Sequence, residues 1–311
     1  MTEAGLPPQI PDDLVQPFQV EPYRLRGRLV RMGPTLDAIL SRHDYPAPVA
    51  RLLGELVVLA ATLASMLKFE GILTLQTKSD GPVKLLVADY AVDGHAVRGY
   101  AQFDAGRLAA LDAGASVPRL LGAGHLAFTI DQGPDTERYQ GIVALEGTSL
   151  IDSVHHYFRQ SEQIETGIRL AVGRTAAGGA WRGGAVMVQR LPESARGTDG
   201  EARDDQFRHV MTLIGTCRDD ELLSPVIAPN RLLFRLFHEE GVRVFPTVAL
   251  ADSCRCSEER VVRILGSFPA AEREDLSVEG AIQVTCEFCS RRYRIDPALL
   301  EAGAERSPPA F

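Results

Sequence analysis

Apolar side chains at positions 49, 52, 53, 56, 57, 60, 63, 64 and 67 keep the rhythm of one helix face. Pro46 opens this run and Gly71 closes it, which predicts a helix with a face to bury. A period of two takes over in 71–78 and 83–90, and Ser79-Asp80-Gly81-Pro82 between them predicts the turn of a hairpin. Further strands are predicted over 24–32, 96–103, 125–131, 140–145, 167–172 and 185–191. Leu150, Ile151, Val154, Tyr157 and Phe158 are spaced as a second helix. Strands grouped with few helices between them predict an α+β domain and not a doubly wound parallel sheet.

Residues 1–22 carry five prolines and little pattern, which predicts a loose leader ahead of a domain spanning 23–192. From Pro192 to Asp205 the chain turns small, polar and acidic, as a domain boundary does. Beyond it, Phe207, Val210, Met211 and Ile214 form one helical stripe, and Leu232, Leu233, Leu236 and Phe237 form another. Residues 193–250 therefore read as a helical linker whose short amphipathic helices need a partner surface. A small unit over 251–297 and a tail over 298–311 complete the division.

Composition changes this picture little: 45% hydrophobic and 24% charged residues describe an ordinary globular chain of 311 residues. The net charge of −8 disfavours a protein that grips phosphate backbones. The N-terminus lacks the basic start and apolar stretch of a secretory signal. The longest nearly apolar run, 56–67, is interrupted by Thr62 and Ser65 and is shorter than the roughly 20 residues that cross a bilayer. A cytoplasmic protein without a membrane partner is expected.

Candidate chemistry is concentrated in one window. Four of the five cysteines fall there, as Cys254-Arg255-Cys256 and Cys286-Glu287-Phe288-Cys289. In a reducing compartment such clusters are metal ligands or redox groups, not permanent disulfides. Four soft thiolates suit one zinc ion in a tetrahedral shell, and a shell filled by protein leaves no place for a hydrolytic water. Cys256 precedes a helix predicted over 257–266, whose N-terminus favours a thiolate. Strands predicted over 281–285 and 291–295 place Cys286 and Cys289 on a hairpin turn.

A unit of roughly fifty residues buries too little to fold alone, whereas structural zinc supplies about 10 to 16 kcal/mol. Loss of the ion should therefore unfold it. The members of each cysteine pair are also close enough in sequence to bond to each other, so the same sulfurs could release the metal on oxidation. A disulfide across the single residue between Cys254 and Cys256 would be strained and easily reduced again.

Other patterns carry less. Gly122-Ala123-Gly124-His125-Leu126-Ala127 imitates a dinucleotide fingerprint but precedes a strand. His238-Glu239 starts a zinc-protease pattern, yet position 242 is Val. His155 and His156 diverge on a helix, which is a packing arrangement. Cys217 stands alone and reads as a small buried apolar residue.

The chain resembles the redox-regulated heat shock protein 33 family, the bacterial 33 kDa chaperonins, over residues 24–295. The likeness rests on Arg26-Gly27, Tyr45-Pro46, Leu53-Gly54-Glu55, Lys68-Phe69-Glu70-Gly71, Gln76, Asp80-Gly81-Pro82 and Arg98-Gly99-Tyr100-Ala101. It continues in Tyr139-Gln140-Gly141, Tyr157-Phe158, Ser161-Glu162-Gln163, the stretch 235–240 and both cysteine pairs. The resemblance implies an ATP-independent holdase, not an enzyme, that is inactive when reduced and holds one zinc ion. It implies disulfides from Cys254 to Cys256 and from Cys286 to Cys289 under oxidative stress, zinc release, and unfolding of the C-terminal unit and linker. Exposed surface would then bind unfolding clients, and the active form would be a homodimer.

Two rival readings make different predictions. A zinc-ribbon nucleic-acid-binding protein would need a basic surface, but 254–295 holds seven arginines against seven acids. A thiol-disulfide oxidoreductase using Cys286 and Cys289 would need a helix N-terminus in a βαβ setting, where a hairpin turn is predicted.

Overall fold

Two antiparallel ladders, each extended by a short strand, grow from the period-two stretches. The computed structural model describes residues 12–304 except 113, 134–135, 176–178, 192–199 and 279. By internal contacts the chain forms two units, Met1–Asp252 and Ser253–Phe311.

The first unit holds strands β1 (Leu14–Val20), β2 (Leu25–Met32), β3 (Ile72–Ser79), β4 (Val83–Ala91), β5 (Ala96–Phe103), β6 (Gly124–Asp131) and β7 (Tyr139–Ala144). It continues with β8 (Thr166–Arg174), β9 (Trp181–Arg190), β10 (Val242–Val244), β11 (Val248–Ala249) and β12 (Ala251–Asp252). One sheet runs β10-β1-β2-β9-β8 with β11 also on β1, and the other runs β12-β5-β4-β3-β6-β7. Only β12 on β5 is parallel among these pairs. The mixture is the expected α+β class.

Helices α1 (Pro34–Leu40) and α2 (Ala47–Ala64) follow β2, then come α3 (Ala105–Ala109), α4 (Val117–Leu121) and α5 (Leu150–Tyr157). Fourteen of the eighteen residues of α2 are buried, because the helix contacts strands of both sheets. It passes the length and composition test for a membrane span, with 78% of that window buried inside the protein. It ends at Ser65 and not near Gly71, where the Ser65 hydroxyl donates to Thr62 O at 2.7 Å.

After β9, α6 (Gly200–Gly215), α7 (Asp219–Leu222) and α8 (Pro229–Phe237) lie on the outer face of the first sheet. Val210, Ile214, Leu222, Leu232, Leu233, Leu236 and Phe237 pack there with Phe18, Val20, Leu25, Leu29, Val186 and Val188. Both predicted stripes are thus buried faces, and residues 200–252 belong by contact to the first unit.

The expectation of a loose leader needs correction. Leu14, Val15, Phe18 and Val20 are buried and β1 pairs with β2 along its whole length. Pro17 sits inside the strand and masks the alternation. Residues 1–11 of that leader, and 192–199 of the acidic stretch, lie outside the described residues.

The second unit contains α9 (Glu258–Gly266), α10 (Ala270–Asp275), α11 (Pro297–Ala304) and the sheet β13 (Ser277–Val278), β14 (Ala281–Thr285), β15 (Arg292–Ile295). Its core is Leu265, Ile282, Ile295 and Leu300. The stretch expected to be a tail therefore begins as α11, with Leu300 buried, and 305–311 lie outside the described residues.

Candidate metal centre

Two local devices bring the cysteines together. Ser257 caps α9, its hydroxyl accepting from Arg260 N at 3.2 Å, which fixes the chain just after Cys254 and Cys256. Beyond β14, Cys286 N donates to Arg291 O at 2.9 Å and Ser290 N donates to Cys286 O at 2.8 Å. Ser290 closes this turn at φ +58°, so Cys286 and Cys289 sit on the predicted hairpin bend.

All four sulfurs lie within 4.8 Å of one another and are half-buried. Cys254 Sγ is 3.7 Å from Cys286 Sγ, and Cys256 Sγ is 3.3 Å from Cys289 Sγ. A tetrahedral ion with sulfur ligands at about 2.3 Å needs edges of roughly 3.8 Å, so the four sulfurs fit a metal site. The thiols are free of disulfides.

The surroundings treat the sulfurs unequally. The Tyr293 hydroxyl donates to Cys256 Sγ at 3.0 Å. Burial pushes the Cys256 thiol up, but hydrogen bonds from Tyr293 and the neighbouring thiols outweigh it and bring it down to about 7. Burial pushes the Cys289 thiol up to about 12, against a backbone N–H from Arg291. The donors around Cys256 therefore favour its thiolate, with the Tyr293 hydroxyl the first of them.

The other sequence candidates take no part. Cys217 is 1% exposed in the apolar cluster of the first unit, as its isolation suggested, and burial pushes its thiol up. Gly124 starts β6 and opens no helix, so the dinucleotide reading fails. His155 is half-buried on α5, where burial holds its imidazole pKa down. Tyr293 was missed by sequence reasoning; the alternation that places it on the same face of β15 as the core residue Ile295 was its only signal.

Comparison with known proteins agrees with this geometry. The family model described as Hsp33 protein matches residues 13–296. The 33 kDa chaperonin of Caulobacter vibrioides is 45% identical over 96% of this chain and 99% of its own length. That of Pseudomonas paraeruginosa is 40% identical over 96% and 97%. The crystal structure of the Thermotoga maritima 33 kDa chaperonin superposes with a TM-score of 0.79 at 22% identity, covering 95% of this chain and 98% of that one, a likeness of fold. The relatives are named as chaperonins, a non-enzymatic class. A match over nearly the whole length, ending just beyond the hairpin that carries the second cysteine pair, makes this chain a member of the Hsp33 chaperone family.

Proposed function

We propose that this protein is a redox-regulated, ATP-independent holdase, inactive when reduced. Cys254, Cys256, Cys286 and Cys289 hold one zinc ion, which when bound supplies folding free energy, about 10 to 16 kcal/mol in structural sites. The observation that carries this reading is the convergence of four sulfurs in a unit whose apolar cluster, among the described residues, is built on Leu265, Ile282, Ile295 and Leu300. A core of that size offsets little chain entropy.

Peroxide oxidises the thiols in pairs, Cys254 with Cys256 and Cys286 with Cys289, the pairing implied by the family resemblance. Each S–S bond forms as two thiols give up two electrons and two protons and one peroxide becomes two waters. Sulfurs joined in this way no longer act as thiolate ligands. The unit from Ser253 onward then unfolds and the linker over 193–250 follows, freeing the apolar stripes of α6 and α8 for unfolding clients. The oxidised form dimerises, in the cytoplasm, without nucleic acid or membrane.

The test is suppression of aggregation of a heat-unfolded client by the reduced, zinc-loaded chain before and after peroxide, with zinc release followed by a chromogenic chelator. Release accompanied by a gain in holding is expected. Release without any gain contradicts the reading.

A further inference from the structure

Between α8 and the cysteines, residues 242–252 form a strap that touches both sheets of the first unit. β10 lies on β1 from Phe18 opposite Val244 to Val20 opposite Val242, and β11 lies on β1 with Ala249 opposite Leu14 and Val248 opposite Val15. β12 leaves that sheet and runs parallel to β5 of the other, with Ala251 opposite Ala96 and Asp252 opposite Val97. The crossing falls at Leu250.

This strap is held at few points. Every residue of 242–252 is at least partly exposed except Leu250, which is 6% exposed. Leu250 enters the core cluster built around α2, and its N–H donates to Asp13 O at 2.7 Å. Two positions on, the Asp252 carboxylate accepts from both terminal nitrogens of Arg42, one of them at 3.0 Å. These side chains are 16% and 23% exposed, and a bidentate pair so shielded is stronger than an ordinary surface pair. At the other end Val242 packs against the separate cluster beneath α6 and α8.

Asp252 is the last residue of the first unit, and Cys254 follows two positions later. Disorder that starts in the metal-binding unit and moves back along the chain meets the Arg42–Asp252 pair first and Leu250 next. It reaches α8 only after β12, β11 and β10 have peeled away. While the second unit is folded, a detached strap is a loop with both ends fixed. Once that unit unfolds, the strap has a free end, and detachment gains chain entropy. Metal loss therefore weakens the strap without touching it.

We propose that the strap is a latch that sets the delay between metal loss and release of α6–α8, with Arg42–Asp252 and Leu250 as its holding points. The proposal rests on the proposed function and adds what times it. Arg42 and Leu250 are informative because Leu250 belongs to the α2 cluster and not to the cluster under the cover, so its effect on the cover must travel along the chain.

The test is hydrogen exchange on the full reduced chain, followed in time after a chelator strips the zinc. In the wild type, 253–304 should lose protection first and 200–237 later. Arg42→Gln and, separately, Leu250→Ala should shorten that delay about fivefold, with zinc content and protection of 200–237 unchanged before chelation. Exchanging the charges, Arg42→Asp with Asp252→Arg, should restore the delay. Simultaneous loss in the wild type, a delay unaltered by Arg42→Gln, or opening of 200–237 in that variant while zinc is still bound overturns the proposal. So does a segment 200–237 that stays closed in every chain. Opening in Arg42→Gln but not in the wild type supports the latch and counts against release by metal loss alone. Peroxide-induced holding that persists with a delay independent of Arg42 leaves the holdase reading standing and removes the latch.

Discussion

Tyr293 donates its hydroxyl to Cys256 Sγ at 3.0 Å, so one of the four sulfurs has an oxygen donor fixed on β15. Such partners orient metal ligands and stabilise their charge, and their removal typically weakens metal binding by about 10- to 100-fold. Tyr293→Phe should therefore weaken metal retention by about tenfold, read by competition with a chelator. Unchanged competition would show that the contact contributes nothing to the site.

Phe18 on β1 stacks on Phe237 of α8 with ring centroids 5.6 Å apart, and both are 1% exposed or less. Phe237→Ala removes a buried ring at about 3 to 5 kcal/mol, enough to loosen α8. The reduced, metal-loaded variant should show faster hydrogen exchange over 200–237 and partial holding without oxidant. Wild-type exchange in that segment would contradict the account of what holds it down.

Gly184 is the floor beneath Leu222. Gly184→Val should force the two apart, at about 1 to 3 kcal/mol of overpacking. The expected result is earlier release of α7 in a denaturant titration, with the metal content unchanged.

Glu55 on α2 lacks a close cation strong enough to offset burial, which raises its carboxyl to about 7 although Arg51 opposes the shift. A folded pKa above the unfolded one means the folded state holds its proton longer. Stability is then undiminished below the unfolded pKa and falls as pH rises from about 4.5 to 7. Glu55→Gln should stabilise the first unit at pH 8 by about 2 to 3 kcal/mol and change little at pH 4. Urea unfolding followed by Trp181, the single tryptophan and a buried one, reads this out. Equal effects at both pH values would rule out a buried, protonated Glu55.

The sequence announces what has a long period or a rare residue. α2 repeats its stripe for five turns, and the cysteine pairs mark the metal centre by spacing alone. β1 was hidden because Pro17 interrupts its alternation, and β10, β11 and β12 were hidden because two or three residues carry no period. Arg31 was illegible for a different reason. A charged residue in a strand reads as solvent-facing, and the carbonyls of Glu221 and Ile227, nearly two hundred residues away, together with the charge of Asp12 make its burial tolerable. Contacts of that range have no local signature.

The central claim is that a metal held by Cys254, Cys256, Cys286 and Cys289 keeps residues 253–304 ordered. Its most direct test is hydrogen exchange on the reduced full chain before and after chelation, with metal content determined on the same sample. The account predicts one zinc per chain, and loss of protection across β14, β15 and α9 once it is removed, while α2 stays protected. Reduced protein free of zinc, or a C-terminal unit that keeps its protection after the ion is gone, would contradict it.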